Sequence, residues 1–341
     1  MRSALCREDG RRRLAVYDDN RRWKGRGYRT ACCRDAVNGL RANLVRADRH
    51  RAADGPEASR VDTLGDYAFK YSDDGGLCWS ERFTIPAREM DIDRRNPYRG
   101  ATRFFWGVGK PISHGDVAYF GFAKVGRFWK GFMAESEGCF MRSDNILVEP
   151  DPTKIAWETL PEGDFGLQSP EGPVADEANL TALSDGSLFC TYRTVAGHSC
   201  HAYSRDGGRS WTPPEFMTHF PGGPLVNHPR AANFVRRLDH GPYAGRFNYW
   251  FHNNNAKGYN NGPTAGSRNP AWLLGGVEEE GPEGKFIRWG RPEVVLYSKD
   301  LHTGISYPDF VEEGEDLYIT ETQKSVARVH RVERALLGRL W

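Results

Sequence analysis

The stretch Ser204-Arg205-Asp206-Gly207-Gly208-Arg209-Ser210-Trp211 has the pattern S-x-D-x-G-x-x-W. The same pattern occurs 132 residues earlier, at Ser72-Asp73-Asp74-Gly75-Gly76-Leu77-Cys78-Trp79. Each copy follows a short run of apolar and aromatic residues, which is typical of a β-strand. Asp accepts hydrogen bonds from the N–H groups of a turn, and Gly adopts the positive φ that tight turns need. We therefore predict that each copy is a β-hairpin turn, with the Trp packing from the strand that follows.

The repeated pattern resembles the Asp box of sialidases and other BNR-repeat β-propellers. The matching residues are Ser72, Asp74, Gly76 and Trp79 in the first copy, and Ser204, Asp206, Gly208 and Trp211 in the second. In that family the Asp boxes lie on the outer rim, away from the active site. The resemblance therefore bears first on the fold and only indirectly on the chemistry.

The remaining chain repeats short apolar strands separated by Asp/Gly turns, and its 38 Gly and 20 Pro suit such an organisation. Counting one third strand per repeat, near residues 30, 69, 140, 201, 273 and 327, predicts an all-β, six-bladed β-propeller, with five or seven blades left open. A β-sandwich with coincidental turn repeats is the alternative. We assign residues 61–335 to the propeller, residues 1–60 to a poorly defined Arg-rich segment or partial blade, and residues 336–341 to a tail.

Composition excludes several classes of protein. The net charge of +2 offers no argument for a nucleic-acid partner, and no apolar run is long enough to span a membrane. The seven cysteines contain no C-x-x-C pair, so we expect no disulfide framework, metal site or cofactor. The first ten residues lack an apolar signal region, which predicts a cytoplasmic protein, or a secreted one if the N-terminus is truncated. The oligomeric state is not predicted.

Candidate site residues are the polar side chains at corresponding points of the repeats. In a propeller, innermost strands begin near the central tunnel, so residues at those points converge from different blades. Packing alone does not require charged residues there. The starts of repeats supply Lys110, Asp176, Glu177, Arg230 and Tyr307, and the ends of second strands supply Arg193, His252 and Glu321.

The resemblance to sialidases implies roles for these residues. In that family a Glu opens one blade and an Arg follows after a D-G turn, an order that Glu177, Asp185-Gly186 and Arg193 match. The family nucleophile is a Tyr that opens the last blade, followed by a Glu that orients an Arg, an order that Tyr307 and Glu321 match. A phenol with a pKa near 10 is a poor nucleophile unless a carboxylate takes its proton, and sialidases use such a Tyr. The resemblance thus implies an exo-sialidase-like glycoside hydrolase acting on the terminal acidic sugar of a glycan. Its catalytic residues would be Tyr307, Glu177 and Glu321, and its substrate-binding residues Arg193, Arg230, His252 and Lys110.

The chain departs from the family in two places. Phe83-Thr84-Ile85-Pro86 has Thr where the F/Y-R-I-P motif has its Arg, and it follows the first box instead of preceding it. The acid/base Asp has no assigned position, with Asp91 and Asp93 as candidates. These departures leave two alternatives open. One is a propeller lyase acting on uronate-containing glycans, with His252 and Tyr307 near the arginines. The other is a non-catalytic glycan-binding propeller.

Overall fold

The computed structural model describes residues 2–6, 13–18, 67–72, 77–98, 104–105, 107, 110–129, 132–257, 268–300, 303–323 and 326–341. The chain divides into two compact units, Met1–Gly166 (unit 1) and Leu167–Trp341 (unit 2), and each is treated by itself below. Nearly all regular structure in the described ranges is antiparallel β-sheet, in agreement with the all-β prediction. No helix in these ranges is long and apolar enough to span a bilayer.

The described residues of unit 1 form two antiparallel sheets, ordered β1-β2-β3-β4 and β5-β7-β8-β9, with β6 paired to β7. Its elements are β1 (Arg2–Cys6), β2 (Arg13–Asp18), β3 (Tyr67–Ser72), β4 (Phe83–Thr84), α1 (Asp91–Arg95), β5 (Phe104–Phe105), β6 (Ile112–His114), β7 (Val117–Trp129), β8 (Phe132–Ser143) and β9 (Glu158–Leu160). An aromatic core that includes Tyr67, Phe69 and Phe122 lies between the two sheets.

Unit 2 contains three antiparallel sheets, ordered β10-β11-β12-β13, β14-β15-β16-β17 and β19-β20-β21, with β18 paired to β16. Its strands are β10 (Asp176–Ala182), β11 (Leu188–Arg193), β12 (Cys200–Ser204), β13 (Glu215–Phe216), β14 (Phe234–Arg237), β15 (Phe247–Phe251), β16 (Ala271–Gly281), β17 (Gly284–Trp289), β18 (Glu293–Leu296), β19 (Asp309–Glu313), β20 (Asp316–Gln323) and β21 (Val326–Arg331). The helix α2 (Arg334–Leu340) ends the chain.

The third strands of the five sheets are β3, β8, β12, β16 and β21. Each of these strands contains one of the six positions at which the repeat pattern predicts a third strand. The sixth predicted position, near residue 30, lies outside the described residues. Most of the predicted tail, residues 336–341, lies in α2, which buries Leu337 and Leu340 against β16 and the β19–β20 sheet; the predicted domain bounds stay a prediction.

The stretch Ser204–Trp211 forms the turn that follows β12. The Asp206 carboxylate accepts hydrogen bonds from the Ser210 backbone N–H at 2.9 and 3.0 Å, and Ser204 Oγ accepts from the Gly208 N–H at 2.8 Å. Trp211 is half-buried, and its Nε1 donates to the Gly208 carbonyl at 2.9 Å. In the earlier copy, Ser72 ends β3 and Trp79 is half-buried, whereas Asp74 and Gly76 lie outside the described residues.

The first strands of the three sheets of unit 2 lie side by side. Asn179 of β10 accepts a hydrogen bond from the Val235 N–H of β14 at 2.9 Å and donates to Asn233 Oδ1 at 3.0 Å. Arg236 of β14 lies 3.8 Å from Asp309 of β19. These contacts join the first strands of the three sheets, so the starts of β10, β14 and β19 lie close to one another. The candidate site lies there.

Alternation along β15 packs this part of unit 2 on both sides. Tyr249 and Phe251 face the cluster shared with β11 and β17, while Trp250 faces the cluster shared with β19, β20 and α2. Successive side chains of a strand point to opposite faces of the sheet, so one strand serves two cores. All three are at most 1% exposed. The strand end that carries His252 is therefore held firmly.

Candidate functional site

The β10–β11 hairpin positions the first charged residues. Its turn has Gly186 at φ 84° and Asp185 accepting a hydrogen bond from the Ser187 N–H at 3.0 Å, which is the chemistry that a tight turn requires. At the other end of the hairpin, Asp176 pairs with Arg193, and the register shifts between Asp176 and Asn179. Such a β-bulge re-aims side chains. Here it includes Glu177, whose φ of 56° is in the left-handed region.

Asp176 is the centre of the buried charges. It is fully buried, and its carboxylate accepts from Arg193 Nε at 2.6 Å, Arg193 Nη2 at 3.2 Å and Arg230 Nη2 at 2.9 Å. Burial alone would raise the pKa of Asp176, but the charges of Arg193 and Arg230 outweigh it and hold the pKa below its usual value of 3.8. Asp176 therefore stays ionised and fixes Arg193 of β11 and Arg230 of the segment that precedes β14.

Arg193 connects this centre to the predicted nucleophile and base. Its Nη1 lies 2.8 Å from Glu177 Oε2, and the charge of Arg193 also interacts with the phenol of Tyr307. Burial opposes the charge of Arg193, yet the carboxylates of Asp176 and Glu177 outweigh it and raise the pKa of the guanidinium. Tyr307 has a φ of 55°, and it and Glu177 are the non-glycine residues with positive φ in the described ranges. Strained backbone of this kind is concentrated at functional sites.

A further arginine, Arg268, lies against Tyr307. Its guanidinium carbon is 5.9 Å from the centre of the Tyr307 ring, and its Nη1 donates to Ser306 Oγ at 3.2 Å. Arg268 is half-buried, whereas Arg193 and Arg230 are each 2% exposed. Of the arginines in this group, Arg268 is therefore the most accessible to a ligand.

His252 is fully buried at the end of β15. Its backbone N–H donates to His228 Nδ1 at 3.0 Å, and its own Nδ1 lies 3.1 Å from the Pro270 carbonyl oxygen. Burial lowers the pKa of His252 to about 3, and the charge of Arg268 acts in the same direction, so the imidazole is neutral at physiological pH. His252 thus offers no positive charge to an anionic substrate.

Glu321 and Lys110 are the remaining predicted site residues. The Thr322 N–H, directly after Glu321, donates to the carbonyl of Ser306, next to Tyr307, at 2.9 Å. Glu321 is buried on β20, and its Oε1 accepts from Arg328 Nη1 at 2.8 Å and lies 3.4 Å from His330 Nε2. The arginine that Glu321 contacts in the described residues is therefore on the neighbouring strand β21. Lys110 is half-buried and belongs to unit 1, so it is not among the residues assembled in unit 2.

The two candidates for the acid/base Asp also lie in unit 1. Asp93 is buried, accepts from the Met90 N–H at 2.9 Å and forms an ion pair with Lys124, so it anchors α1. Asp91 is partly exposed and pairs with Arg95 at 3.0 Å. Neither contact involves a residue of the Tyr307 group.

Sequence reasoning placed Asp176 among the residues that start repeats without giving it a specific role, and it missed Arg268. The available signal for Asp176 was an acidic pair opening a buried strand. Arg268 precedes Asn269-Pro270 and the apolar strand β16, a place that no motif marks. In the described ranges, no group of three or more His, Cys, Asp and Glu side chains is arranged to hold a metal ion.

Several solved structures resemble the fold of this chain. No protein-family model matches the chain, and no curated protein matches it. An intramolecular trans-sialidase from Ruminococcus gnavus superposes with a TM-score of 0.50 at 18% identity, covering 79% of this chain and 50% of that one. A Hadza microbial sialidase superposes with a TM-score of 0.55 at 13% identity, covering 98% of this chain and 52% of that one.

An exo-1,5-α-L-arabinanase from a bovine ruminal metagenomic library has a TM-score of 0.50 at 12% identity, covering 97% of this chain and 91% of that one. The chain thus spans about half the length of the two sialidases it resembles. At such identities the likeness concerns the fold. The chain thus shares its fold with these sialidases.

Proposed function

We propose that the protein is a sialidase-like glycoside hydrolase that removes a terminal acidic sugar from a glycan. The observation that carries this proposal is the position of Arg193. Its guanidinium pairs with Glu177, shares Asp176 with Arg230 and interacts with Tyr307. The predicted nucleophile, its predicted base and two cations are thus connected through Arg193, although they come from the β10–β11 hairpin and from the segments that precede β14 and β19.

In this proposal the Tyr307 oxygen attacks the anomeric carbon of the sugar while Glu177 takes the phenolic proton. The bond from the anomeric carbon to the glycosidic oxygen breaks, the phenolic proton passes from Glu177 to that oxygen through solvent, and the glycan leaves as an alcohol while the sugar is held on Tyr307. Water then attacks the anomeric carbon: its hydroxyl stays on the sugar, and its proton passes through Glu177 to the tyrosine oxygen as the bond to Tyr307 breaks. The left-handed backbone at both residues supports the proposal, because such strain persists only where the surrounding structure fixes a side chain in place.

Arg268 is the residue that we propose meets the acidic group of the substrate. It is half-buried and lies over the Tyr307 ring, while Arg193 and Arg230 are buried around Asp176. A planar guanidinium binds a carboxylate through two parallel hydrogen bonds. The Ruminococcus gnavus trans-sialidase was solved in complex with oseltamivir carboxylate, and a carboxylate is the kind of group that we propose Arg268 binds.

The structure disfavours the lyase alternative in one respect. A lyase base must reach the proton next to the sugar carboxylate. His252 is fully buried, and both its backbone N–H and its Nδ1 are engaged within the protein. We therefore assign His252 no direct contact with substrate.

Substitution of Tyr307 by Phe tests the proposed chemistry. The change removes the hydroxyl but keeps the ring under Arg268, so we expect turnover to fall by at least about a thousandfold with substrate binding largely retained. The assay measures released reducing sugar and, separately, the absorbance of a new C=C bond, on panels of sialosides and uronides. An unsaturated product from the wild-type protein would identify a lyase. Binding without either signal would identify a non-catalytic glycan-binding protein.

Substitution of Arg268 by Lys tests the proposed contact with substrate. A point charge cannot reproduce the planar fork, so we expect the KM for a carboxylated sugar to rise about tenfold or more. The matched control is Arg205→Lys, because Arg205 lies in the Ser204–Trp211 turn, at the opposite end of its sheet from Arg193. Equal KM values for Arg268→Lys and Arg205→Lys would contradict the role of Arg268.

The count of six blades also stays a proposal, and an experimental structure of the whole chain tests it.

A further inference from the structure

His228 and His252 form a continuous chain of hydrogen bonds between two segments that carry arginines. His228 Nε2 lies 2.9 Å from the Ala231 carbonyl oxygen, directly after Arg230. The His252 N–H donates to His228 Nδ1 at 3.0 Å, and His252 Nδ1 lies 3.1 Å from the Pro270 carbonyl oxygen, two residues after Arg268. Three hydrogen bonds thus connect residues 230–231 to residues 268–270.

The partners of each ring fix its tautomer. A backbone N–H is always a donor, so His228 Nδ1 must accept and carries no proton. Its Nε2 then carries the proton and donates to the Ala231 carbonyl. The Pro270 carbonyl can only accept, so His252 is protonated on Nδ1. Every link in the chain consequently has one donor and one acceptor.

Both rings remain neutral in this environment. They are at most 1% exposed, and they stack with ring centres 5.9 Å apart and planes inclined by 17°. Burial lowers the pKa of His228 well below its usual value, and the neighbouring His252 lowers it further. A proton on His228 Nδ1 would also face the His252 N–H, donor against donor. The pair is thus a connection that ordinary changes in pH leave intact.

The far ends of the chain are anchored next to the Tyr307 group. Asn269 donates to the Ser298 carbonyl at 2.8 Å, and the Ile305 N–H donates to the Arg268 carbonyl at 3.2 Å. The Arg230 side chain bonds to Asp176 at 2.9 Å. The segments that bear Arg230 and Arg268 are therefore each held by hydrogen bonds of their own, and the two histidines connect the two segments to each other.

We infer that His228 and His252 are positioning residues that tie the segment of Arg268 to the segment of Arg230, so that Arg268 is held beside Tyr307 to receive the acidic group of the substrate. This inference deepens the proposed function and rests on it. His252 acts through its Nδ1–H alone, because its buried Nε2 makes no hydrogen bond. That asymmetry provides a sharp test, since an Asn side chain can present its amide N–H where His presents Nδ1–H.

The experiment compares His252→Ala with His252→Asn on a carboxylated sugar and on its methyl ester. We expect His252→Ala to raise the KM for the carboxylated sugar about tenfold, with kcat changed less than about threefold, because one hydrogen bond that aligns Arg268 is lost. The preference for the carboxylate over the ester should fall by a similar factor. His252→Asn should restore most of both values. His219→Asn is the matched control, since His219 Nδ1 also lies 3.0 Å from a carbonyl oxygen, that of Gly290, but next to the last strands of the sheets instead of the first. This variant should leave the preference for the carboxylate unchanged.

Equal loss in His252→Asn and His252→Ala would overturn the inference, because the ring itself would then be required. An unchanged carboxylate preference in His252→Ala would overturn it as well. If His252→Ala does not fold, His228→Gln replaces it, because the Gln Nε2 can donate to the Ala231 carbonyl while no Gln atom occupies the place of His Nδ1, which accepts from the His252 N–H.

A second measurement is independent of any substrate. Nitrogen NMR of the wild-type protein should show His228 protonated on Nε2 and His252 on Nδ1, and His228→Gln should shift the Nε–H signals of Arg230 and Arg268 but not that of Arg328. The opposite tautomers, or unmoved arginine signals, would sink the inference even if the protein hydrolyses acidic sugars. Correct tautomers and shifted signals in a protein that binds no acidic sugar would instead refute the proposed function and leave the hydrogen-bonded chain standing.

Discussion

Replacement of Asp176 by Asn tests the buried charge centre of unit 2. Asp176 is fully buried and bonds to Arg193 twice and to Arg230 once, at 2.6 to 3.2 Å. Asn keeps the volume and one acceptor oxygen but removes the charge that balances the two guanidiniums. A hydrogen bond to a charged group contributes about 1.5–3 kcal/mol, and breaking a buried ion pair costs about 3–5 kcal/mol. Because Arg193 retains Glu177 at 2.8 Å, we expect the lower part of that range, about 3 kcal/mol, for Asp176→Asn.

The assay is urea unfolding followed by tryptophan fluorescence, with the midpoint compared at unchanged slope. The matched control is Glu171→Gln, which breaks the exposed pair between Glu171 and Lys257, 3.4 Å apart with side chains about 60% exposed. An exposed pair contributes about 0–1 kcal/mol, so this control should hardly move the midpoint. A loss below about 1 kcal/mol for Asp176→Asn would refute the reasoning, since it would mean that Arg193 and Arg230 do not depend on Asp176.

The same variant predicts a dependence on pH. The pKa of Asp176 is lower in the folded chain than its ordinary value of 3.8, so its contribution to stability is present above that value and is lost as the pH falls through the folded pKa. The difference in unfolding free energy between the wild type and Asp176→Asn should therefore be constant near neutrality and shrink below pH 3.8. A difference that stayed constant into strong acid would show that the charge of Asp176 is not the stabilising feature.

Two further predictions concern the scaffold. Leu337 of α2 is 1% exposed, so Leu337→Ala should lower the unfolding free energy by about 2–5 kcal/mol. The control Val329→Ala, at a side chain that is 68% exposed, should change it by less than about 0.5 kcal/mol. Equal losses in thermal melts would contradict the packing of α2. Asp206→Ala removes the acceptor of the Ser210 N–H and hydroxyl and should lower the unfolding free energy by about 1–2 kcal/mol. Sugar hydrolysis should stay at its wild-type rate, because the turn lies at the far end of its sheet from Arg193. A loss of activity without a loss of stability would instead place the turn in the site.

Local features of the sequence predicted the strands and the turns. The Asp185-Gly186 turn lies between two apolar runs, and these form the β10–β11 hairpin with Gly186 at positive φ. Such features are legible because the residues that decide them are neighbours in the chain, and backbone sterics act over a few residues. The same reasoning predicted that residues at the starts of repeats and at the ends of second strands converge. Of these, Glu177, Arg193 and Arg230 share one charge network with Asp176, and the site as a whole stays a prediction.

The chain by itself therefore determined the β-strand repeat, its turns and the polar positions at strand ends. Only the tertiary structure decided which of those side chains touch. The bulge that turns Glu177, the contact of Arg268 with Tyr307, and the burial that keeps His252 neutral all depend on residues that are far apart in sequence. Hydrogen bonds and ion pairs act over about 3–4 Å, and the charge state of a buried group depends on everything packed around it. No local pattern encodes those distances, so the partners of each arginine became known only once the sheets were packed together.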